Sequence, residues 1–304
     1  MDRIRSIVVP TDFSRLSEAA AARAVWFAQL DGAAVHLVHA VRFPLIVTPY
    51  EVSVPAAMRE GIQAAAQERL EDTRKAIERA AGPECTVTAE VLDATDAAQA
   101  IDEVAAEHDA DLIVMGTHGH TGIRHAVLGS VAERTLRTVD RPILAVKEEP
   151  ADAARPIARI LVPVDFSEES DCAVATAAGL ARRLGADVTV VHAIDLPHDY
   201  VPYASPFGSE LEESIDAAAA QRLAQVGERF SEAGVSVSLE TRRGHAADAI
   251  GELAMEQRTQ LIVMGTRGNS GLAHVLLGSV AERTLRTAPC SVLAVKASRA
   301  RSGD

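Results

Sequence analysis

Leu112–Lys147 reads LIVMGTHGHTGIRHAVLGSVAERTLRTVDRPILAVK, and Leu261–Lys296 reads LIVMGTRGNSGLAHVLLGSVAERTLRTAPCSVLAVK. Laid on each other without a gap, the two stretches agree at 24 of 36 positions, and Leu128–Thr138 recurs unbroken as Leu277–Thr287. Each begins with a short apolar run, passes through glycines into an amphipathic segment, and closes on a second apolar run, which reads as strand, loop, helix, strand. Repetition changes the meaning of every other motif, so it is traced outward first. Ile7–Ser14 (IVVPTDFS) answers Ile160–Ser167 (ILVPVDFS), and Val38-His39-Ala40 answers Val191-His192-Ala193. Each copy runs about 145 residues, too long for a solenoid repeat and long enough to own a core. The expected domains are 1–147 and 157–297, joined by a charged, proline-bearing linker at 148–156.

Within the first copy, β-branched runs predict strands at 4–9, 34–39, 85–91, 112–115 and 143–146. Amphipathic segments predict helices near 15–30, 58–80, 96–107 and 131–138. The second copy repeats the strands at 158–163, 187–192, 235–240, 261–264 and 291–295. Alternating strands and helices make a parallel sheet with crossover helices, and strands this apolar must be covered on both faces. The expected class is therefore α/β, with two tandem doubly wound five-stranded parallel-sheet domains.

The whole chain, 304 residues at 48% hydrophobic and 24% charged, suits two globular domains and excludes a disordered chain. No apolar run approaches the roughly 18 residues of a membrane helix, so no membrane partner is expected. Asp2, Arg3 and Arg5 precede any secretory-type core, so a cytoplasmic location is the expectation. Cys85, Cys172 and Cys290 stand far apart without CxxC spacing, which fits a reducing compartment. A net charge of −13 disfavours nucleic acid as a partner.

The chemistry concentrates where Gly116-Thr-His-Gly119 follows a strand and nine residues lead to Gly129-Ser130; Gly265-Thr-Arg-Gly268 and Gly278-Ser279 repeat the spacing. Glycines there let the backbone turn and approach a ligand, and a helix opening at Ser130 or Ser279 offers free N–H groups to a phosphate. The competing account is a capping box, Ser130-x-x-Glu133 and Ser279-x-x-Glu282, which would satisfy the helix start without a ligand. Asp12 and Asp165 at the ends of the first strands read either as helix caps or as carboxylate acceptors in the cleft at the switch point of the sheet.

The Pro-x-Asp strand end together with Gly-x2-Gly-x9-Gly-Ser resembles the universal stress protein family in its tandem, ATP-binding form, over nearly all of both halves. The resemblance implies an adenine nucleotide α-hydrolase-like fold with sheet order 3-2-1-4-5. It implies ATP as cofactor, with Mg held through the phosphates. It places Pro10, Thr11, Asp12, Ala40, Met115, Gly116, His118, Gly119, Gly129, Ser130 and Val131 around one nucleotide. Around a second it places Pro163, Val164, Asp165, Ala193, Met264, Gly265, Arg267, Gly268, Gly278, Ser279 and Val280. Val164 for Thr11 and Arg267 for His118 are the departures between the two sites.

Other chemistry finds little support. His118, His120 and His125 become Arg267, Asn269 and His274 in the second copy, which is no metal-ligand set. Gly-x-x-x-x-Gly-Lys-Ser/Thr and Gly-x-Ser-x-Gly do not occur. His39 and His192 close their strands as hydrogen-bonded structural residues. The expected function is an ATP-binding stress-response regulator or sensor with slow hydrolysis at most, acting through an unidentified protein partner. The alternatives are a slow ATPase or nucleotidyl-transfer enzyme, and a partner-binding scaffold with vestigial clefts. The apolar last strands, Ile143–Val146 and Val292–Val295, suggest that the halves pair within a chain or in a homodimer. The tyrosine-bearing segments 42–55 and 195–208 suggest lids over the clefts.

Overall fold

The computed structural model describes residues 3–43, 55–118, 128–195, 208–268 and 277–297. The chain divides at Arg155 and Pro156 into two compact units. The first contains β1 (Ser6–Pro10), α1 (Arg15–Asp31), β2 (Ala34–Val41), α2 (Ala56–Ala81), β3 (Val87–Asp93), α3 (Ala97–Glu107), β4 (Leu112–Gly116), α4 (Ser130–Thr138), β5 (Ile143–Val146) and a helical turn, α5 (Pro150–Ala153). The second contains β6 (Arg159–Pro163), α6 (Glu168–Leu184), β7 (Asp187–Ile194), α7 (Gly208–Glu232), β8 (Val237–Arg243), α8 (Ala246–Glu256), β9 (Leu261–Gly265), α9 (Ser279–Thr287) and β10 (Ser291–Val295). Every expected strand and helix is present. The largest boundary shift is the end of β8, which pairing with β7 carries through the polar residues Thr241–Arg243.

Within the first unit the strands are parallel in the order β3-β2-β1-β4-β5, with Ile7 opposite both Val35 and Leu112 and Ile113 opposite Ile143. Within the second the order is β8-β7-β6-β9-β10, with Ile160 opposite both Val188 and Leu261. Ser6–Val9 in β1 and Leu112–Met115 in β4 are buried at every position. Successive strand residues point to opposite faces, so unbroken burial means that both faces of the sheet are covered. Because β1 lies beside β4, the segments leaving their carboxyl ends open into one crevice.

The first helix of each unit is set by its ends. Ser14 and Ser167 cap α1 and α6 by accepting from Ser17 N and Ser170 N, and Gly32 (φ 69) and Gly185 (φ 63) close them in the left-handed conformation. Their alanine-rich faces then pack closely on the sheet. No described helix is long and apolar enough to cross a membrane.

Two features of the first unit stand apart among the described residues. Residues 150–153 of the expected linker form α5, which Pro150 begins as an N-terminal helix residue. Arg23, 2% exposed on α1, donates to Arg155 O at 2.7 Å and Asp152 O at 3.4 Å, so this tail docks on the first unit. The second copy has Thr176 in place of Arg23. On the far side of the sheet core, His36 of β2 stacks on His108 at the end of α3 with ring centroids 3.7 Å apart. Its Nδ1 lies 2.8 Å from Thr88 Oγ1, and burial, then His108, push its pKa down to about 4.

Candidate functional site

Each unit holds a cavity at the carboxyl ends of its strands, of about 340 Å³ in the first and 650 Å³ in the second. Pro10, Thr11, Asp12, Ala40, Met115, Gly116, His118, Gly129, Ser130 and Val131 all line the first. Pro163, Val164, Asp165, Ala193, Met264, Gly265, Arg267, Gly268, Gly278, Ser279 and Val280 all line the second. Gly119, His120, Arg124, His125, Asn269 and His274 lie outside the described residues, as do the three tyrosines and most of 42–55 and 195–208. Ser17 and Ser170, Thr117 and Thr266, and Ala97 and Ala246 line the clefts too; the sequence reading missed them, although each pair sits at equivalent places in the two copies.

The carboxylates are not helix caps, for that place belongs to Ser14 and Ser167. Asp12 Oδ1 instead accepts from Ser14 N at 3.0 Å, and Asp165 Oδ1 accepts from Ser167 N at 3.1 Å and from the Ser167 hydroxyl. The acidic groups are thereby pinned at the strand ends, where both line the cavities.

Across each cavity the capping box does not form. The N-caps of α4 and α9 are Gly129 (φ −64, ψ 144) and Gly278 (φ −72, ψ 151), without side-chain cap hydrogen bonds. Ser130 and Ser279 are already the first helical residues, and Glu133 and Glu282 pair with Arg137 and Arg286 at 2.9 and 2.8 Å. The first intrahelical bonds arrive at Glu133 N and Glu282 N, so the amides of the three preceding residues have no acceptor within their helix. Gly129 N and Gly278 N donate at 2.7 Å to Thr117 O and Thr266 O, closing the base of the glycine loop in both units.

The strand-end glycines do a further task besides lining the cavities. A Cβ on Gly116 would fall 3.0 Å from the Leu16 backbone carbon, and one on Gly265 would fall 2.9 Å from that of Glu169. Their missing side chains admit the first turn of α1 and α6, and both glycines also line the cavities. Gly268 faces the cleft as well, since a Cβ there would run into Asp165 Oδ2.

The walls differ. In the first cleft His118 Nδ1 lies 2.8 Å from Thr117 Oγ1 and its Nε2 is buried without a hydrogen-bond partner among the described residues; burial, then Lys147, lowers its pKa. In the second, Arg267 stands 3.0 Å from Glu169 as an ion pair lacking hydrogen-bond geometry, and Glu169 replaces Leu16. Among the described residues no group of three His, Cys, Asp or Glu side chains is placed to hold a metal ion.

The model of the universal stress protein family matches residues 3–147 and again 156–296. The chain belongs to the universal stress protein family. It is 30% identical over 299 residues to a universal stress protein of Mycobacterium tuberculosis (strain ATCC 25618 / H37Rv), covering 96% of each chain. It is 29% identical over 297 residues to one from Mycolicibacterium smegmatis, covering 95% of this chain and 96% of that one. The crystal structure of a universal stress protein from Archaeoglobus fulgidus superposes over 97% of both chains with a TM-score of 0.72 at 21% identity, a likeness of fold. The tandem universal stress protein architecture thus accounts for the doubled cleft, and the Gly-capped helix start lies in both matched segments.

Proposed function

We propose that each half of this universal stress protein binds one adenine nucleotide, ATP in the first instance, and that occupancy makes the chain a stress-response regulator or sensor. The observation that carries the reading is a pairing made twice. A helix N-terminus capped only by glycine opens on one side of a cavity, and a pinned aspartate stands on the other. Free amides and the positive helix end suit phosphates, while a carboxylate suits the amino and hydroxyl donors of a nucleoside. Mg would reach these clefts through the phosphates, since the donors present suit an anion. The sequence lacks the lysine motif of nucleotide hydrolases, which favours a message carried by occupancy, with slow turnover at most. A cytoplasmic location and a protein partner complete the proposal.

Calorimetric titration of folded, nucleotide-free protein with ATP tests it. The expected result is up to two nucleotides per chain, with Gly268→Val removing the second alone because its side chain displaces Asp165. Absence of adenine-nucleotide binding defeats the reading.

A further inference from the structure

In each unit a histidine, a phenylalanine and an arginine from three separate segments form one stack. His39, on β2, has its ring centroid 4.5 Å from that of Phe13, and the guanidinium of Arg69, on α2, lies 4.5 Å over the same phenyl ring. His192, Phe166 and Arg222 repeat this at 4.5 and 4.2 Å. The phenylalanines hold φ of 63 and 61, a left-handed conformation that a side chain of this size adopts only when its surroundings over-determine it. The arginines occupy matching places in Ile62-x-Ala-Ala-Ala-x-x-Arg69-Leu70 and Ile215-x-Ala-Ala-Ala-x-x-Arg222-Leu223. Both are exposed, and the phenyl ring is the contact they share.

The stack ends in the cleft. His39 Nδ1 lies 2.8 Å from Thr11 O, and His192 Nδ1 lies 2.8 Å from Val164 O. A carbonyl oxygen can only accept, so Nδ1 carries a hydrogen, and the tautomer with a single ring hydrogen keeps a lone pair at Nε2. Both rings line the cavities beside Asp12 and Asp165. This end of each cleft therefore presents a carboxylate and an imidazole acceptor together, which suits a ligand bearing O–H or N–H donors.

We propose that His39 and His192 read the nucleoside, each Nε2 accepting a hydrogen bond from an O–H or N–H group of the bound nucleotide, and that Arg69 and Arg222 are positioning residues that hold this acceptor through Phe13 and Phe166. The proposal rests on the nucleotide reading above. It assigns the strand-end histidines a recognition role in addition to their structural bond, and it explains why exposed arginines recur at the same place on α2 and α7.

Long-range proton–nitrogen NMR of the full, nitrogen-15-labelled chain reads the four ring nitrogens separately. The free protein should show both rings with hydrogen on Nδ1, and saturating ATP should move both Nε2 resonances upfield as their lone pairs engage. Arg69→Ala should reduce the His39 response and weaken ATP binding in the first cleft on the order of tenfold, the scale of one lost hydrogen bond. Arg69→Lys, which retains a cation over the ring, should restore most of it. ATP binding that leaves both Nε2 resonances in place, hydrogen on Nε2 in the free protein, or unchanged affinity in Arg69→Ala each overturns the inference and leaves the nucleotide reading standing. A chain that binds no ATP loses both.

Discussion

In the first cleft Thr11 donates to Ser17 Oγ at 3.1 Å and accepts from Phe13 N at 3.0 Å, whereas the second cleft has Val164 there and its aspartate takes an added bond from the Ser167 hydroxyl. The first copy has Leu16 and His118 at the places where the second sets Glu169 against Arg267. Four devices that fix the backbone are the same in both: the serine cap, the aspartate on the cap amide, the histidine on the carbonyl and the glycine before α4 and α9. The copies differ at both members of this wall pair. Glutamate without its arginine, or arginine without its glutamate, would lose this ion pair at a partly buried place, so the two replacements compensate each other. The duplicated scaffold thus constrains position, while side chains facing the cavity vary in compensated sets.

The largest test of this sameness is the contact beneath the cleft. A Cβ on Gly265 meets Glu169 Cβ at 2.7 Å, closer than the 3.0 Å at which one on Gly116 meets Leu16 Cβ. Gly265→Ala should cost about 3 kcal/mol and Gly116→Ala about half of that, the range for overpacking a tight contact. Urea unfolding of the two variants checks the order, and a reversed order breaks the comparison.

Acid should separate the units next. His36 has Thr189 as its counterpart, so only the first unit carries this buried imidazole. The unfolded chain takes up a proton near the ordinary value of 6.5, while folded His36 resists protonation until about pH 4. Stability of the first unit is therefore intact above 6.5, falls as pH drops toward 4, and levels off below. The loss should reach roughly 3 kcal/mol once it levels off, of which roughly 2 kcal/mol is present by pH 4.5. Unfolding followed at pH 7 and 4.5 measures it, and His36→Thr should flatten the dependence.

The smallest effect sharpens the comparison of the walls. In a double-mutant cycle of Glu169→Leu and Arg267→His, the two changes that recreate the first cleft, the coupling should be about 1 kcal/mol, as for a partly screened pair. Strict additivity would mean that the two residues changed independently.

Much of this was legible in sequence because the repeat doubled every signal. Alternating strands and helices written twice gave the sheet class, and the glycine motif with Asp12 and Asp165 pointed to the carboxyl ends of the strands. What stayed hidden depended on geometry. Ser130-x-x-Glu133 has the spacing of a capping box, but Gly129 takes the cap position with an extended ψ, which moves the serine into the helix. That Gly116 also makes room for a helix was hidden because the residue that crowds it, Leu16, lies about 100 residues away in the chain. Arg69 and Arg222 passed as ordinary polar helix residues. Extending the repeat into α2 and α7 would have exposed them as a matched pair.

The docked tail on α1 makes the two copies unequal in chain order. Arg23 is buried with its guanidinium over Trp26, and its acceptors are the carbonyls of Asp152 and Arg155, beyond the last strand of its own sheet. A first half severed after Lys147 would strand that cation with its acceptors gone, whereas one running through Arg155 keeps them. Nor could the halves exchange places by simple permutation, because the tail that satisfies Arg23 is the very segment that leads into the second half. The duplication has become directional: one copy is now built to have something follow it.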